Sequence, residues 1–276
     1  MSNDVIESSV ARITAAASPR TLIHQLLNAV GVQRDGELSG PWLVAALGEL
    51  GHRPEAVRQM LRRMQRTREL EVRRQGRVNH YRLGPFARSG ADAGWRKLFG
   101  PLPDWDGRWT LALYQFRASE REERDHVRVI LAYAGFGSLA RGVFVHPHDR
   151  VKEVTAGLGS VGLGRRVHLF RAERAAGPGD PQTAAAAWDL AALAADYRRF
   201  TDAFAGLDPD ALDPAAAFRA ASAVAIGFLD VGFRDPDLPA GLLPSDWPGD
   251  AARARVRALL PRLQHGMLAH ADRLPG

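Results

Sequence analysis

The sequence predicts a protein of mixed α+β class that is built from several domains. Three observations indicate this: a basic helix and hairpin before residue 84, strand and helix patterns that alternate between residues 105 and 175, and a helical, alanine-rich remainder. A chain of 276 residues is long enough to bury two or three separate cores. We therefore expect a flexible tail at 1–17, a first domain at 18–84, a linker with a short helix at 85–104, a second domain at 105–175 and a helical third domain at 176–276.

The composition favours a polyanionic partner and a cytoplasmic location. The formal net charge is +6 and the pI is about 10.4. The absence of cysteine excludes a disulfide framework and thiolate metal sites, and it fits a reducing compartment. Residues 1–17 lack the basic start and apolar run of a signal peptide, and no stretch approaches about eighteen uninterrupted apolar residues. We therefore expect a cytoplasmic protein without a membrane-spanning segment.

The positive charge is concentrated in one short segment, from His52 to Arg82. This segment holds ten arginines against three glutamates, a local balance of +7. Because the whole chain carries only +6, all the other residues together sum to −1. A single element therefore supplies the positive field.

The first part of this segment has the pattern of an amphipathic helix. Proline suits the first helical position, and Pro54 stands there. Apolar residues then recur at helical spacing and predict one buried stripe: Val57, Met60, Leu61 and Met64. Two further helices are predicted before it, one starting at Ser18-Pro19 and one at Pro41, each with its own apolar face.

The second part of the segment has the pattern of a hairpin. Two short strands, Glu71–Arg74 and Val78–Leu83, enclose Gln75-Gly-Arg77, with glycine where a positive φ is easiest. Helices followed by a basic hairpin are typical of a winged helix-turn-helix, in which the last helix lies in the major groove and the wing contacts phosphate or the minor groove. A solvated surface helix is the alternative, and the adjoining hairpin and the scarcity of acids weigh against it.

This interpretation assigns a role to each basic or amide side chain of the region. The candidates for the major groove are Arg58, Gln59, Arg62, Arg63 and Arg66. Arg20 and Arg53 are candidates for flanking phosphates. The candidates in the wing are Arg73, Arg74, Gln75, Arg77 and His80.

The middle of the chain predicts a small α+β domain. Strands are expected at Thr110–Phe116, around Gly142–Val145 and at Val167–Arg171, with helices between them that start at a Ser119/Glu122 capping box and at Val151. This alternation suggests a ferredoxin-like domain. Beyond Thr183 we expect helices, including a stripe of Leu190, Leu193, Tyr197, Phe200 and Phe204, alanine-rich helices at 214–229 and 250–270, and a proline-rich loop at 233–249.

Several motifs are weighed and set aside. Gly157-Leu-Gly-Ser-Val-Gly162 has dinucleotide-loop spacing, but it follows a helix and precedes a strand, so we expect a connection. His146-Pro-His148-Asp149 could bind a metal ion, but a surface turn is favoured because no third ligand has a recognisable spacing. Trp188, Tyr197 and Trp247 are expected in the core rather than in a ligand pocket. We predict no catalytic residue, no metal and no cofactor.

Separated motifs, in order, resemble the PaaX family of bacterial transcriptional repressors. They are Ser18-Pro-Arg-Thr-Leu-Ile23, Ala56-Val-Arg58 with Arg63, His80-Tyr-Arg-Leu83, Trp105-Asp-Gly-Arg-Trp109, Gly135-Phe-Gly137, His146-Pro-His-Asp149, Ala187-Trp-Asp-Leu190, and Arg234-Asp-Pro-Asp-Leu-Pro239 through Leu243-Pro-Ser-Asp-Trp-Pro-Gly249. The resemblance implies a winged helix, a ferredoxin-like central domain and a helical C-terminal domain. It also implies a homodimer that binds a partly palindromic operator in double-stranded DNA and is released by an aryl-acetyl coenzyme A thioester, phenylacetyl-CoA in the founding member.

The residues that bind such an effector are not identified by the sequence. Its phosphates would require basic groups at a cleft between the last two domains, and the available ones are Arg150, Lys152, Arg165, Arg166 and Arg171. The central domain is also similar to the small ferredoxin-like nucleases of CRISPR adaptation. Those need an acidic metal ligand at the end of the first strand, where this chain has Gln115, Phe116 and Arg117. The alternative function is a nucleic-acid-processing or hydrolytic enzyme that uses the winged helix to bind RNA or protein.

Overall fold

The computed structural model describes residues 3–85, 87–88, 99–100 and 104–276 and is of mixed α+β class. Within those ranges it contains ten α-helices and two small antiparallel sheets. The chain forms two compact units: Met1–Gly100 with Asp196–Phe233 and Pro248–Gly276, and Pro101–Ala195 with Arg234–Trp247. This division differs from the predicted one, because the last two helices belong to the same unit as the N-terminal segment.

The first unit begins with four helices: α1 (Asn3–Ala16), α2 (Pro19–Ala29), α3 (Gly40–Glu49) and α4 (Pro54–Arg66). The hydroxyls of Ser18 and Ser39 cap α2 and α3 by accepting hydrogen bonds from backbone N–H groups three residues on. The expectation of a flexible tail at 1–17 is wrong. Ile6 and Val10 of α1 are buried, and α1 packs against the later helix at 214–232.

A three-stranded sheet follows the helices in this unit. Strands β1 (Leu38–Ser39), β2 (Leu70–Gln75) and β3 (Val78–Leu83) lie in the order β1-β3-β2, and both pairs are antiparallel. The pairing of β2 with β3 closes on a two-residue turn at Gly76, whose φ is +60°, and Arg77. The predicted hairpin and its glycine are therefore confirmed.

Long helices complete the first unit. They are α8 (Leu190–Ala203), of which the residues from Asp196 onward belong here, α9 (Pro214–Gly232) and α10 (Gly249–Ala271). The predicted stripe from Leu190 to Phe204 is buried. By length and composition α9 could cross a membrane, but 67% of its apolar window is buried within the protein, mostly against α10 and α1. It is the core helix of this unit.

The second unit is built on a four-stranded antiparallel sheet. Its elements are β4 (Trp109–Leu113), α5 (Arg121–Tyr133), β5 (Gly137–Ala140), β6 (Val143–His146), α6 (Val151–Ser160), β7 (His168–Ala172) and α7 (Asp180–Ala187). The strand order is β5-β6-β4-β7. Residues of α5 and α6, including Leu131 and Leu158, share one core with Ala112 of β4, and α7 shares a second core with Trp109 and Val145.

Three details of this unit differ from the sequence prediction. The strand β5 was not expected, and β4 ends at Leu113 rather than Phe116. The Ser119/Glu122 capping box does not form, because α5 begins at Arg121 and the carboxylate of Glu120 accepts a hydrogen bond from the backbone N–H of Arg117. In the linker at 85–104, the sequence also predicts a short helix at Trp95–Phe99, and this segment lies almost entirely outside the described residues.

Candidate nucleic-acid interface

Helix α4 divides into an apolar face and a basic face. Val57, Leu61 and Met64 are buried, as the helical spacing predicts, and they hold the helix against α2 and α3. The opposite face is exposed. It carries six of the residues predicted to contact DNA: Arg53, Arg58, Gln59, Arg62, Arg63 and Arg66.

Most arginines on this face lack a partner among the residues that the structure describes. The Nη1 atom of Arg58 lies 3.5 Å from Oε1 of Glu55, and both side chains are more than half exposed. Such a pair contributes little, because water screens it. Among the residues that the structure describes, no carboxylate or hydrogen-bond acceptor contacts the guanidinium groups of Arg53, Arg62, Arg63 and Arg66. These cations are therefore available to an external anion.

The hairpin of β2 and β3 extends this basic surface. Arg74, Gln75 and Arg77 are exposed at its tip, whereas His80 is half-buried on β3. The Nε atom of Arg74 donates to the carbonyl of Gly76 at 3.2 Å, which ties the strand to its own turn. The tip thus presents cations on a backbone that is held by hydrogen bonds.

Arg73 differs from its neighbours because it is held by a carboxylate. Its Nη2 and Nε atoms donate to Oε2 of Glu37 at 2.6 and 3.0 Å, and the side chain of Glu37 is only 14% exposed. The hydrogen bond from Arg73 lowers the pKa of Glu37 below its usual value, so the carboxylate is ionised at neutral pH. The stability that this clamp between Glu37 and Arg73 contributes is fully present above the usual pKa of a glutamate. It is lost as the pH falls through the lowered pKa of Glu37. Sequence reasoning missed Glu37, which is distant from Arg73 in the chain.

Arg20 is held in a similar way near the end of α4. Its Nε atom donates to Oε2 of Glu69 at 2.6 Å, and the hydroxyl of Thr67 donates to Oε1 at 2.8 Å. Burial raises the pKa of Glu69, but the hydrogen bonds from Thr67 and Arg20 together lower it by more. Arg20 therefore links α2 to the start of β2, and its phosphate contact stays a prediction. Arg82 is likewise engaged by Glu71, at 2.6 Å.

The motifs that were set aside have structural positions of their own. His146 is buried, which corrects the expectation of a surface position, although the chain does turn after it. Burial lowers the pKa of His146 to about 3, so its ring is neutral. Its Nδ1 atom accepts a hydrogen bond from the backbone N–H of His148 at 3.0 Å. No group of three His, Cys, Asp or Glu side chains that could hold a metal occurs in the described part of the chain. Tyr197 is fully buried, and Trp188 and Trp247 pack against a core.

Two family models match the chain beyond residue 101. The model described as the PaaX protein central Cas2-like domain matches residues 102–185, and the model described as the PaaX-like protein C-terminal domain matches residues 188–273. The chain belongs to the PaaX family. The resemblance carried by the sequence motifs is therefore confirmed. The basic helix and hairpin lie outside both matched ranges.

The chain is also similar to a curated protein of the PaaX family and to a solved structure. The chain is 29% identical over 265 residues to the transcriptional repressor PaaX of Escherichia coli strain K12, which covers 91% of this chain and 82% of that protein. The solved structure of the uncharacterized protein Rv0674 from Mycobacterium tuberculosis is similar with a TM-score of 0.56 and 23% identity, over 84% of this chain and 90% of that one. This second likeness concerns the fold alone.

Proposed function

We propose that this protein is a transcriptional repressor that binds double-stranded DNA in a sequence-specific manner. The observation that carries the proposal is the face of α4 beside the basic hairpin. On this face Arg62, Arg63 and Arg66 are exposed and have no carboxylate partner in the described part of the chain. Arginine forks suit guanine edges and phosphates. The similar Escherichia coli protein is named a transcriptional repressor, and this supports the same role here.

We infer that α2, α3, α4 and the β2–β3 hairpin form a winged helix-turn-helix. In such a domain α4 enters the major groove, and the hairpin tip with Arg74 and Arg77 lies on phosphate or in the adjacent minor groove. We also infer that the second unit is ferredoxin-like, since its elements follow one another as β-α-β-β-α-β and its sheet is antiparallel. This is the architecture that family membership leads us to expect.

The proposed repressor acts as a homodimer and is released by a small aromatic effector, such as an aryl-acyl coenzyme A thioester. Two copies related by a two-fold axis match two half-sites of a partly palindromic operator, spaced by one or more helical turns of DNA. The effector must bind the released conformation better than the DNA-bound one, because equal affinity for both shifts no equilibrium.

Fluorescence anisotropy tests the DNA-binding part of the proposal. Labelled DNA from the promoter region of its own gene and labelled random DNA are each titrated with the protein. The titrations are done at two salt concentrations, with and without phenylacetyl-CoA. We expect tight, salt-sensitive binding to the promoter that the thioester relieves. Arg62→Ala should reduce discrimination between the two DNAs by about 1–3 kcal/mol, whereas Arg77→Ala should weaken both equally and reduce the salt slope by about one.

Lys152→Ala is the matched control, because this lysine is an exposed cation on the second unit. Its affinity and salt slope should equal those of the unmodified protein. If Arg62→Ala and Arg77→Ala behave like the control, the α4 face and the hairpin are not the DNA-binding surface. If promoter and random DNA are bound equally, the protein is not a sequence-specific repressor.

A further inference from the structure

A depression of about 520 Å³ lies in the second unit, next to the end of β4. It is lined by Gln115, Phe116, Arg117, Glu120 and Arg166. Small-molecule sites in proteins commonly have volumes of about 300–1,000 Å³. The size of this depression is therefore sufficient for a ligand such as a nucleotide.

One wall of the depression is an aromatic stack with a cation over it. The guanidinium carbon of Arg166 lies 4.6 Å from the ring centroid of Phe116. That ring packs against Tyr114 at 5.3 Å, and Tyr114 packs in turn against Phe144 at 5.8 Å. Arg166 lies in the connection that precedes β7, and its guanidinium is supported by aromatic rings that pack back to the core.

A carboxylate of the chain itself occupies two hydrogen-bond donors of the depression. Oε1 of Glu120 accepts a hydrogen bond from Nη2 of Arg166 at 2.9 Å, and Oε2 accepts one from the backbone N–H of Arg117 at 2.7 Å. The backbone N–H of Arg117, and then Arg166, lower the pKa of Glu120, so the group remains an anion. Two donors that bind the two oxygens of a carboxylate can also bind two oxygens of a phosphate.

We propose that this depression binds the phosphate-bearing end of a nucleotide-type ligand, whose phosphate oxygens replace Glu120 at Arg166 and at the backbone N–H of Arg117. A planar ring of the same ligand stacks beside Phe116. This inference rests on the proposed function in one respect: the ligand serves as the effector. The nucleotide portion of a coenzyme A thioester carries both the phosphates and the planar ring that the site requires.

Of the five basic residues that the sequence offered for an effector, Arg166 is the one that lines this depression. Arg171 donates to Asp106 at 2.5 Å, and Arg150 contacts Glu153 at 3.2 Å. Those two cations have carboxylate partners, as Arg166 does, but neither of them lines the depression. Glu120, the internal competitor of Arg166, is the residue immediately before α5.

Isothermal titration calorimetry on the full-length protein tests the site. The probes are coenzyme A, ADP and inorganic phosphate, and the variants are Arg166→Ala and Glu120→Gln. We expect coenzyme A and ADP to bind more tightly than phosphate, because only they carry the ring. Arg166→Ala should weaken nucleotide binding about 10- to 100-fold, as the loss of a charged hydrogen bond does, whereas Glu120→Gln should strengthen it because the competing anion is gone.

Arg165→Ala is the matched control, since this neighbouring arginine is exposed and does not line the depression. Its nucleotide affinity should be unchanged. Arg166→Lys keeps the positive charge and tests whether the loss of binding in Arg166→Ala is due to misfolding. It should bind nucleotide better than Arg166→Ala. Equal affinity of the Arg165→Ala and Arg166→Ala variants, absence of the strengthening in Glu120→Gln, or phosphate binding as tight as ADP binding would each overturn the assignment.

Anisotropy on DNA with the same preparations separates this inference from the proposed function. A protein that binds its promoter but yields no heat with either nucleotide disproves the ligand site and keeps the repressor. A protein that binds ADP through Arg166 but does not discriminate among DNAs keeps the site and disproves the repressor.

Discussion

At the scale of single residues, glutamates divide the arginines of the basic segment into two groups. Glu37 and Glu71 hold Arg73 and Arg82 at 2.6 Å. In the described ranges, Arg62 and Arg77 have no such partner. An arginine that already donates to a carboxylate must break that contact before it can bind phosphate. The glutamates therefore select which of the ten arginines contribute to the basic surface.

The clamp between Glu37 and Arg73 can be tested by removing its charge. Glu37→Gln should release Arg73 toward the DNA backbone, because a neutral amide binds a guanidinium less strongly than a carboxylate does. We expect tighter binding to random DNA and a salt slope that is steeper by about one, the change that one additional phosphate contact produces. Anisotropy titrations at several salt concentrations measure both quantities.

Glu153→Gln serves as the control for this change, since it removes the same charge from an exposed pair with Arg150 in the second unit. Its DNA affinity and salt slope should not change. A Glu37→Gln variant whose salt slope equals that of the control would mean that Arg73 does not reach DNA even when it is released.

At the scale of elements, α4 shows what a sequence pattern can and cannot predict. Apolar residues at helical spacing and a glycine in the hairpin turn are local signals, and they predicted the buried stripe and the turn at Gly76. The carboxylates that engage Arg20 and Arg73 come from other elements, and no spacing in the sequence reveals such pairs. The strand β5, Gly-Ser-Leu-Ala, was missed because it is short and lacks β-branched residues.

The buried stripe of α4 gives a prediction about stability. Leu61 is 3% exposed, so Leu61→Ala should leave a cavity and lower the free energy of unfolding by about 2–5 kcal/mol. Gln65→Ala on the exposed face of the same helix should change it by less than about 0.5 kcal/mol. Chemical denaturation followed by circular dichroism measures both variants. Equal stability of the two would show that α4 is not anchored through this stripe.

At the scale of the whole molecule, the first unit joins the two ends of the chain. The indole Nε1 of Trp42 in α3 donates to the carbonyl of Ala271, at the end of α10, at 2.8 Å. Arg34 donates to the same carbonyl at 3.0 Å and to Asp272 at 2.5 Å. The sequence boundaries at 84 and 176 could not anticipate this unit, because those contacts join residues more than 200 positions apart and leave no local pattern.

This arrangement predicts that the DNA-binding segment and the C-terminal helices lose stability together. Trp42 is 1% exposed, so Trp42→Phe should lose a hydrogen bond worth about 0.5–1.5 kcal/mol and also leave a cavity. Hydrogen–deuterium exchange should become faster both in α3 and in α9 and α10, and remain unchanged in the second unit. Trp109→Phe is the reciprocal control, because that indole donates to Asp180 at 3.0 Å within the second unit. If Trp42→Phe accelerated exchange only near α3, the DNA-binding segment would be an independent domain. An effect of effector binding on DNA affinity would then not depend on the C-terminal helices.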